Sequence, residues 1–132
     1  MNKTLFFLTL LFFATDIVAQ NPAEKISIVA QVPSQMKKNQ SIELVVSIKN
    51  TLLKEGTGNI TLELFDTKKN TSVDGWFYNI YPFQYFTGTP GEIFSTKFPF
   101  TIPGNFSGKI RIAITAQCGN TKDSVSRYML IK

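Results

Sequence analysis

The chain has 132 residues, 43% of them hydrophobic, 13% aromatic and 17% charged, with a formal net charge of +5. That is too apolar for a disordered segment and the right size for one domain. It holds no histidine and one cysteine, which removes the commonest general base and metal ligand, the Ser/His and Cys/His nucleophile pairs, and any internal disulfide.

Residues 1–19 have the three-part form of a secretory signal: Lys3 supplies the positive start, Leu5 to Phe13 is nearly all Leu and Phe, and Ala19 is a small residue at a cleavage position. Ile17 stands where a second small residue is usual, so cleavage within a residue or two of Ala19 is expected. The apolar run is far shorter than the roughly 20 residues that span a bilayer, and no Cys lies near the junction for lipid attachment. The expectation is a signal peptide over 1–19, one domain over 20–132, and a secreted or periplasmic product that is not membrane-spanning.

From there apolar residues recur with period two, and no window of useful length repeats at helical spacing. Ile26, Ile28, Ala30 and Val32 share one phase within 25–32, Ile42, Leu44, Val46 and Ile48 within 40–49, and Ile60, Leu62 and Leu64 within 58–65. The pattern resumes with Phe94, Thr96, Phe98 and Phe100, then Ile110, Ile112, Ile114, Ala116 and Cys118, then a last strand over 123–132. Turn residues fall between these runs at Pro33-Ser34, Lys54-Glu55-Gly56, Lys68-Lys69-Asn70, Gly88 to Gly91, Pro103-Gly104-Asn105 and Cys118-Gly119-Asn120. About seven short strands at this spacing predict an all-β, immunoglobulin-like antiparallel sandwich. Pro99 and Pro103 mark an edge or a strand end, because proline cannot donate to a ladder.

The acidic residues are scattered, with only Asp66 and Asp74 close together, so neither an enzyme nor a cofactor or metal site is expected. The cations are spread along the sequence: Lys37 and Lys38 in one predicted turn, Lys68 and Lys69 in another, Lys109 and Arg111 alternating on a strand. This reads as a solvated surface without a nucleic-acid site, the alternative being weak attraction to an anionic envelope surface. Cys118 shares the inward phase of Ile110, Ile112 and Ile114 and reads as a small core residue; a thiol made reactive by Lys122, or an intermolecular disulfide, is the alternative. Asn39, Asn59, Asn70 and Asn105 lie in Asn-x-Ser/Thr triplets, which matter only in a host that glycosylates them.

The most distinctive stretch is 76–86, where Trp76, Phe77, Tyr78, Tyr81, Phe83, Tyr85 and Phe86 crowd into eleven residues. Strict alternation would bury half of them. The segment either caps the core and covers an edge strand, or presents rings to a partner, since flat rings with polar tips give contact area at low entropy cost. On the second reading Trp76, Phe77, Tyr78, Tyr81, Phe83 and Tyr85 are the candidate partner-binding residues.

Several segments, in order, resemble a macroglobulin-type domain of bacterial alpha-2-macroglobulin family proteins: 58–66 (Gly-Asn-Ile-Thr-Leu-Glu-Leu-Phe-Asp), 73–77 (Val-Asp-Gly-Trp-Phe), 84–87 (Gln-Tyr-Phe-Thr), 97–103 (Lys-Phe-Pro-Phe-Thr-Ile-Pro), and 112–120 as a strand closing on a Gly-Asn turn. The likeness spans 25–132, and in that family the domain resembled lies shortly before the α-helical thioester-type domain. The resemblance implies a seven-stranded sandwich taken from a secreted or periplasmic protease trap. The expectation is one domain of that set, without a bait region or a helical domain after it. Cys118-Gly119-Asn120-Thr121 mimics only the start of the Cys-Gly-Glu-Gln sequence of the family's thioester members: Thr121 has no carboxamide to acylate the thiol, and the segment falls at a strand end inside the sandwich, so no thioester is expected. What it implies is a non-catalytic interaction module, with an envelope or extracellular protein as partner, such as a larger macroglobulin-like protein or a protease. A carbohydrate or surface-adhesion module using 76–86 is one alternative; a small protease inhibitor acting through a rigid loop over 87–92 is another.

Overall fold

Residues 23–132 are described by the structure, a computed structural model; the signal-peptide reading of 1–19 lies outside them. Among the described residues there is no helix, and so none long and apolar enough to cross a membrane. Nine strands form: β1 (Ile26–Ala30), β2 (Gln35–Met36), β3 (Ser41–Asn50), β4 (Gly56–Asp66), β5 (Thr71–Ser72), β6 (Phe83–Gly88), β7 (Phe94–Thr101), β8 (Gly108–Cys118) and β9 (Thr121–Ile131). Seven are long and two are bridges of two residues. One sheet runs β1-β3-β7; the other runs β2-β9-β8-β4, with β5 and β6 both pairing β4 on its far side. All pairings are antiparallel except the short parallel one between β2 and β9, which the expectation of a wholly antiparallel sandwich did not include.

The period-two phases become the core. Ile60, Leu62 and Leu64 of β4 and Ile110, Ile112, Ile114, Ala116 and Cys118 of β8 face Leu44, Val46, Ile48, Phe98 and Phe100 of the other sheet, all buried. Each large side chain removed from water contributes about 1.5–3 kcal/mol toward holding the sheets together. Cys118 is buried and its burial, with Glu24 nearby, pushes the thiol pKa up, so the core reading stands and neither a reactive thiol nor an intermolecular bridge fits. Gly119 (φ 59) and Asn120 form the two-residue loop between β8 and β9, with Thr121 Oγ1 donating to Cys118 O at 3.0 Å. The segment that begins like a thioester sequence is thus a hairpin turn of the II′ pattern, with Gly first.

Close backbone approach fixes one corner. Gly58 lies under the Phe86 ring, and a Cβ there would meet that ring at 2.5 Å and Gln117 O at 2.6 Å. The sheet edges are covered by side chains. Asp123 accepts Ile28 N of β1 through Oδ2 (2.8 Å) and Ser124 N of β9 through Oδ1 (2.9 Å), capping one edge from each sheet. On the other side β7 is an edge strand, as Pro99 implied. Thr101 N and Lys97 O both leave the ladder, to Phe77 O and Gln84 Nε2. The position of Pro99, two residues from each, therefore turns outward too and costs no ladder hydrogen bond.

Candidate functional site

β4 pairs with β6 over Gly56–Thr61 and with β5 over Phe65–Asp66, leaving 62–64 without a strand on that side. The β5–β6 connection fills this gap with its own groups. Asp74 Oδ1 accepts Leu64 N (2.8 Å) and Asn79 Nδ2 (2.9 Å), its Oδ2 accepts Ser72 Oγ (3.0 Å), and Asn79 Nδ2 also donates to Leu62 O (2.9 Å). Leu62 N donates to Pro82 O at 2.9 Å, and Phe77 N and Asn79 N close turns onto Val73 O and Asp74 O. Asn79 is buried, and its Oδ1 has no hydrogen-bond partner among the described residues. A chain pinned at 74 and 79 must turn sharply outward between them, and Tyr78 adopts φ 55. For a bulky residue this left-handed conformation costs about 1–2 kcal/mol.

The pinned loop separates the six candidate rings. Phe77 is wholly buried, packed edge-to-face against Phe106 at 5.1 Å, so its place among partner-contacting residues is corrected: its inward turn follows from the Phe77 N to Val73 O bond. Trp76 is 44% exposed and packs edge-to-face on Phe106 at 5.5 Å. Tyr78 is 66% and Tyr81 60% exposed. Phe83 and Tyr85 alternate outward on β6, packed edge-to-face at 5.0 Å on the outer face of the larger sheet. The segment thus divides, with Phe77 and Phe86 in the core and the other rings at the surface.

A groove of about 370 Å³ runs beside the loop, between Tyr78 and Ile80 on one wall and Ser41, Glu43, Pro99 and Thr101 on the other. Ser41 Oγ and Thr101 Oγ1 bond each other at 2.9 Å across β3 and β7. Glu43 pairs with Lys97 at 3.3 Å, both exposed, an arrangement that adds little stability. Ile80, 65% exposed, and the Asp74–Asn79 anchor escaped the sequence reading; their one visible signal was the break in alternation after Val73. The groove thus offers rings, a proline face, hydroxyl hydrogen bonds and the Glu43 carboxylate, with no Lys, Arg, His or Cys among its lining residues. Among the described residues no group of three His, Cys, Asp or Glu is placed to hold a metal.

The loop over 87–92 is rigid, as an inhibitor loop needs. Asn50 Nδ2 donates to Thr89 O (3.1 Å) and Glu92 O (2.8 Å), and Asn50 Oδ1 accepts Gly91 N (3.2 Å). Its shape is a tight turn, with Glu92 N on Thr89 O and Gly91 at φ 76 after Pro90, the type II pattern, rather than an extended segment.

No protein-family model matches this sequence, and none of the curated proteins does. The fold has solved relatives. Escherichia coli alpha-2-macroglobulin, in a structure running from domain MG7 to the C-terminus, superposes with a TM-score of 0.61 at 12% identity over 81% of this chain. The CARDB domain of a Pyrococcus furiosus protein, solved with di-metal ions, gives 0.59 at 16% identity over 86% of this chain and 90% of its own. A Listeria innocua β-glucosidase gives 0.57 at 14% over 84%. The chain spans only 16% of the alpha-2-macroglobulin fragment and 16% of the glucosidase. The chain has the fold of a macroglobulin-like domain. At these identities the likeness is one of fold, and proteins of different activity share it.

Proposed function

We propose that the chain is an exported, non-catalytic binding module that contacts an envelope or extracellular protein through the groove beside Tyr78 and Ile80. The observation that carries this reading is the pinned loop: half-buried Asp74 and buried Asn79 hold Tyr78 in a strained conformation with its ring outward, an arrangement the fold does not need for its core. Pre-organised exposed rings flanking a groove suit partner contact, because little side-chain freedom remains to be lost on binding. The fold supports a module rather than an active site, since macroglobulin domains of this build are parts of much larger chains. The trapping activity of alpha-2-macroglobulin does not pass to one domain. A larger macroglobulin-like protein or a protease is the partner class that the likeness favours, and the closed turn at 89–92 speaks against insertion of this loop into a protease cleft.

The test is affinity capture of envelope proteins with residues 20–132, run beside Tyr78→Gly/Ile80→Ser, with both forms melted in parallel. A partner held by the parent and lost by an equally stable variant supports the groove; the same proteins captured by both, or none by the parent, sinks it. Export is tested separately, by the N-terminal mass of the protein made in its host, expected to begin at or within two residues of Gln20.

A further inference from the structure

Cations far apart in the sequence meet at one end of the sandwich, which corrects their reading as spread out. The registers Asp66↔Ile110, Gly108↔Ile131 and Met36↔Ile131 put the end of β4, the start of β8 and the ends of β9 and β2 at one level. The Lys68-Lys69 turn leaves β4 there, tied by Thr67 N to Lys109 O; the Lys37-Lys38 turn leaves β2 there, tied by Asn39 N to Ile102 O. These four lysines and Lys109 are exposed, and Arg111 stacks on Phe65 with its guanidinium 4.4 Å from the ring. Asp66, whose Oδ1 accepts Lys68 N, and Asp74, whose Oδ1 accepts Leu64 N, lie on this side too, and these six cations outnumber them. At the opposite end Lys25, Lys49, Lys54 and Lys122 are balanced by Glu24, Glu55, Glu92 and Asp123. The net charge of the domain is therefore concentrated at one pole.

We infer that this basic pole is a docking surface for an anionic lipid bilayer. Four of its six cations stand on two turns at one end, with Lys109 and Arg111 beside them at the start of β8, the geometry that meets a plane rather than lining a channel for a strand of nucleic acid. Each lysine brought to an anionic leaflet raises partitioning about fivefold. Trp76, packed on Phe106 of the β7–β8 connection and 44% exposed, stands at the rim, where an indole suits the headgroup layer. Lys37 and Lys132, with Gln35, Met36 and Gln40, line a groove of about 380 Å³ that can seat a headgroup. The preference for lipid over nucleic acid rests on the export reading, whereas the pole itself does not.

The experiment is co-sedimentation of residues 20–132 with phosphatidylcholine vesicles, with and without about 30% phosphatidylglycerol, at low and high salt. Lys68→Glu/Lys69→Glu and Lys37→Glu/Lys38→Glu are compared with Lys54→Glu/Lys122→Glu, which reaches the same net charge at the other pole. All six positions are exposed, and melting checks each fold. The expected result is binding to anionic vesicles only, weakened more than tenfold by high salt and by either basic-pole pair, and within about twofold of the parent for the control pair. No binding by the parent, equal loss in all three variants, or stronger binding to duplex DNA than to the anionic vesicles overturns the inference.

Discussion

At Tyr78 the conformation and the side chain serve different ends. Glycine enters φ 55 freely, so Tyr78→Gly removes the ring while relieving the backbone; the melting temperature is expected to hold or rise slightly as partner capture falls. Asn79 behaves in the opposite way. Asn79→Ala deletes its bonds to Leu62 O and Asp74 Oδ1 and leaves a buried carbonyl unpaired, so a loss of about 2 kcal/mol is expected in chemical denaturation. Gly58→Ala drives a methyl into Phe86 and Gln117 O and is expected to cost about 1–3 kcal/mol. Cys118 should react slowly with thiol reagents until the protein unfolds. Burial raises its pKa in the folded state, so its contribution to stability is present at neutral pH and lost as pH climbs past the ordinary thiol range, where the unfolded chain ionises first.

Strands whose phases alternate cleanly were legible from the sequence: β3, β4, β7 and β8 carry the inward residues that their patterns name, and Pro99 marks a true edge. The aromatic stretch was not legible, because its placement depends on Asp74 and Asn79 replacing a missing ladder, a long-range arrangement with no period. The two-residue strands β2 and β5 leave no pattern at all. Edge protection by Asp123 was equally invisible, since it joins β1 to β9 across 95 residues. Asp123→Ala uncovers Ile28 N and Ser124 N together; faster amide hydrogen exchange at both positions, with little change at Leu62, is the expected outcome, and unchanged exchange would show that the cap is idle.

For the whole molecule, topology assembles what sequence order scatters. The groove takes one wall from the β5–β6 loop and the other from β3 and β7, and the basic pole takes its charges from two turns and a strand. Composition named the class and excluded much of the chemistry, yet neither surface follows from it. A macroglobulin-like fold supplies a rigid frame on which loops can be varied, and here the loop held most firmly is the one that projects apolar side chains. The most direct measurement is site-specific photocrosslinking of the exported protein in its host, with a benzoylphenylalanine at position 78 or 80, and at the exposed Leu53 on the opposite end as control. The account predicts one dominant adduct from positions 78 and 80 that is absent from 53; no adduct at either groove position, or the same adducts from all three, would contradict it.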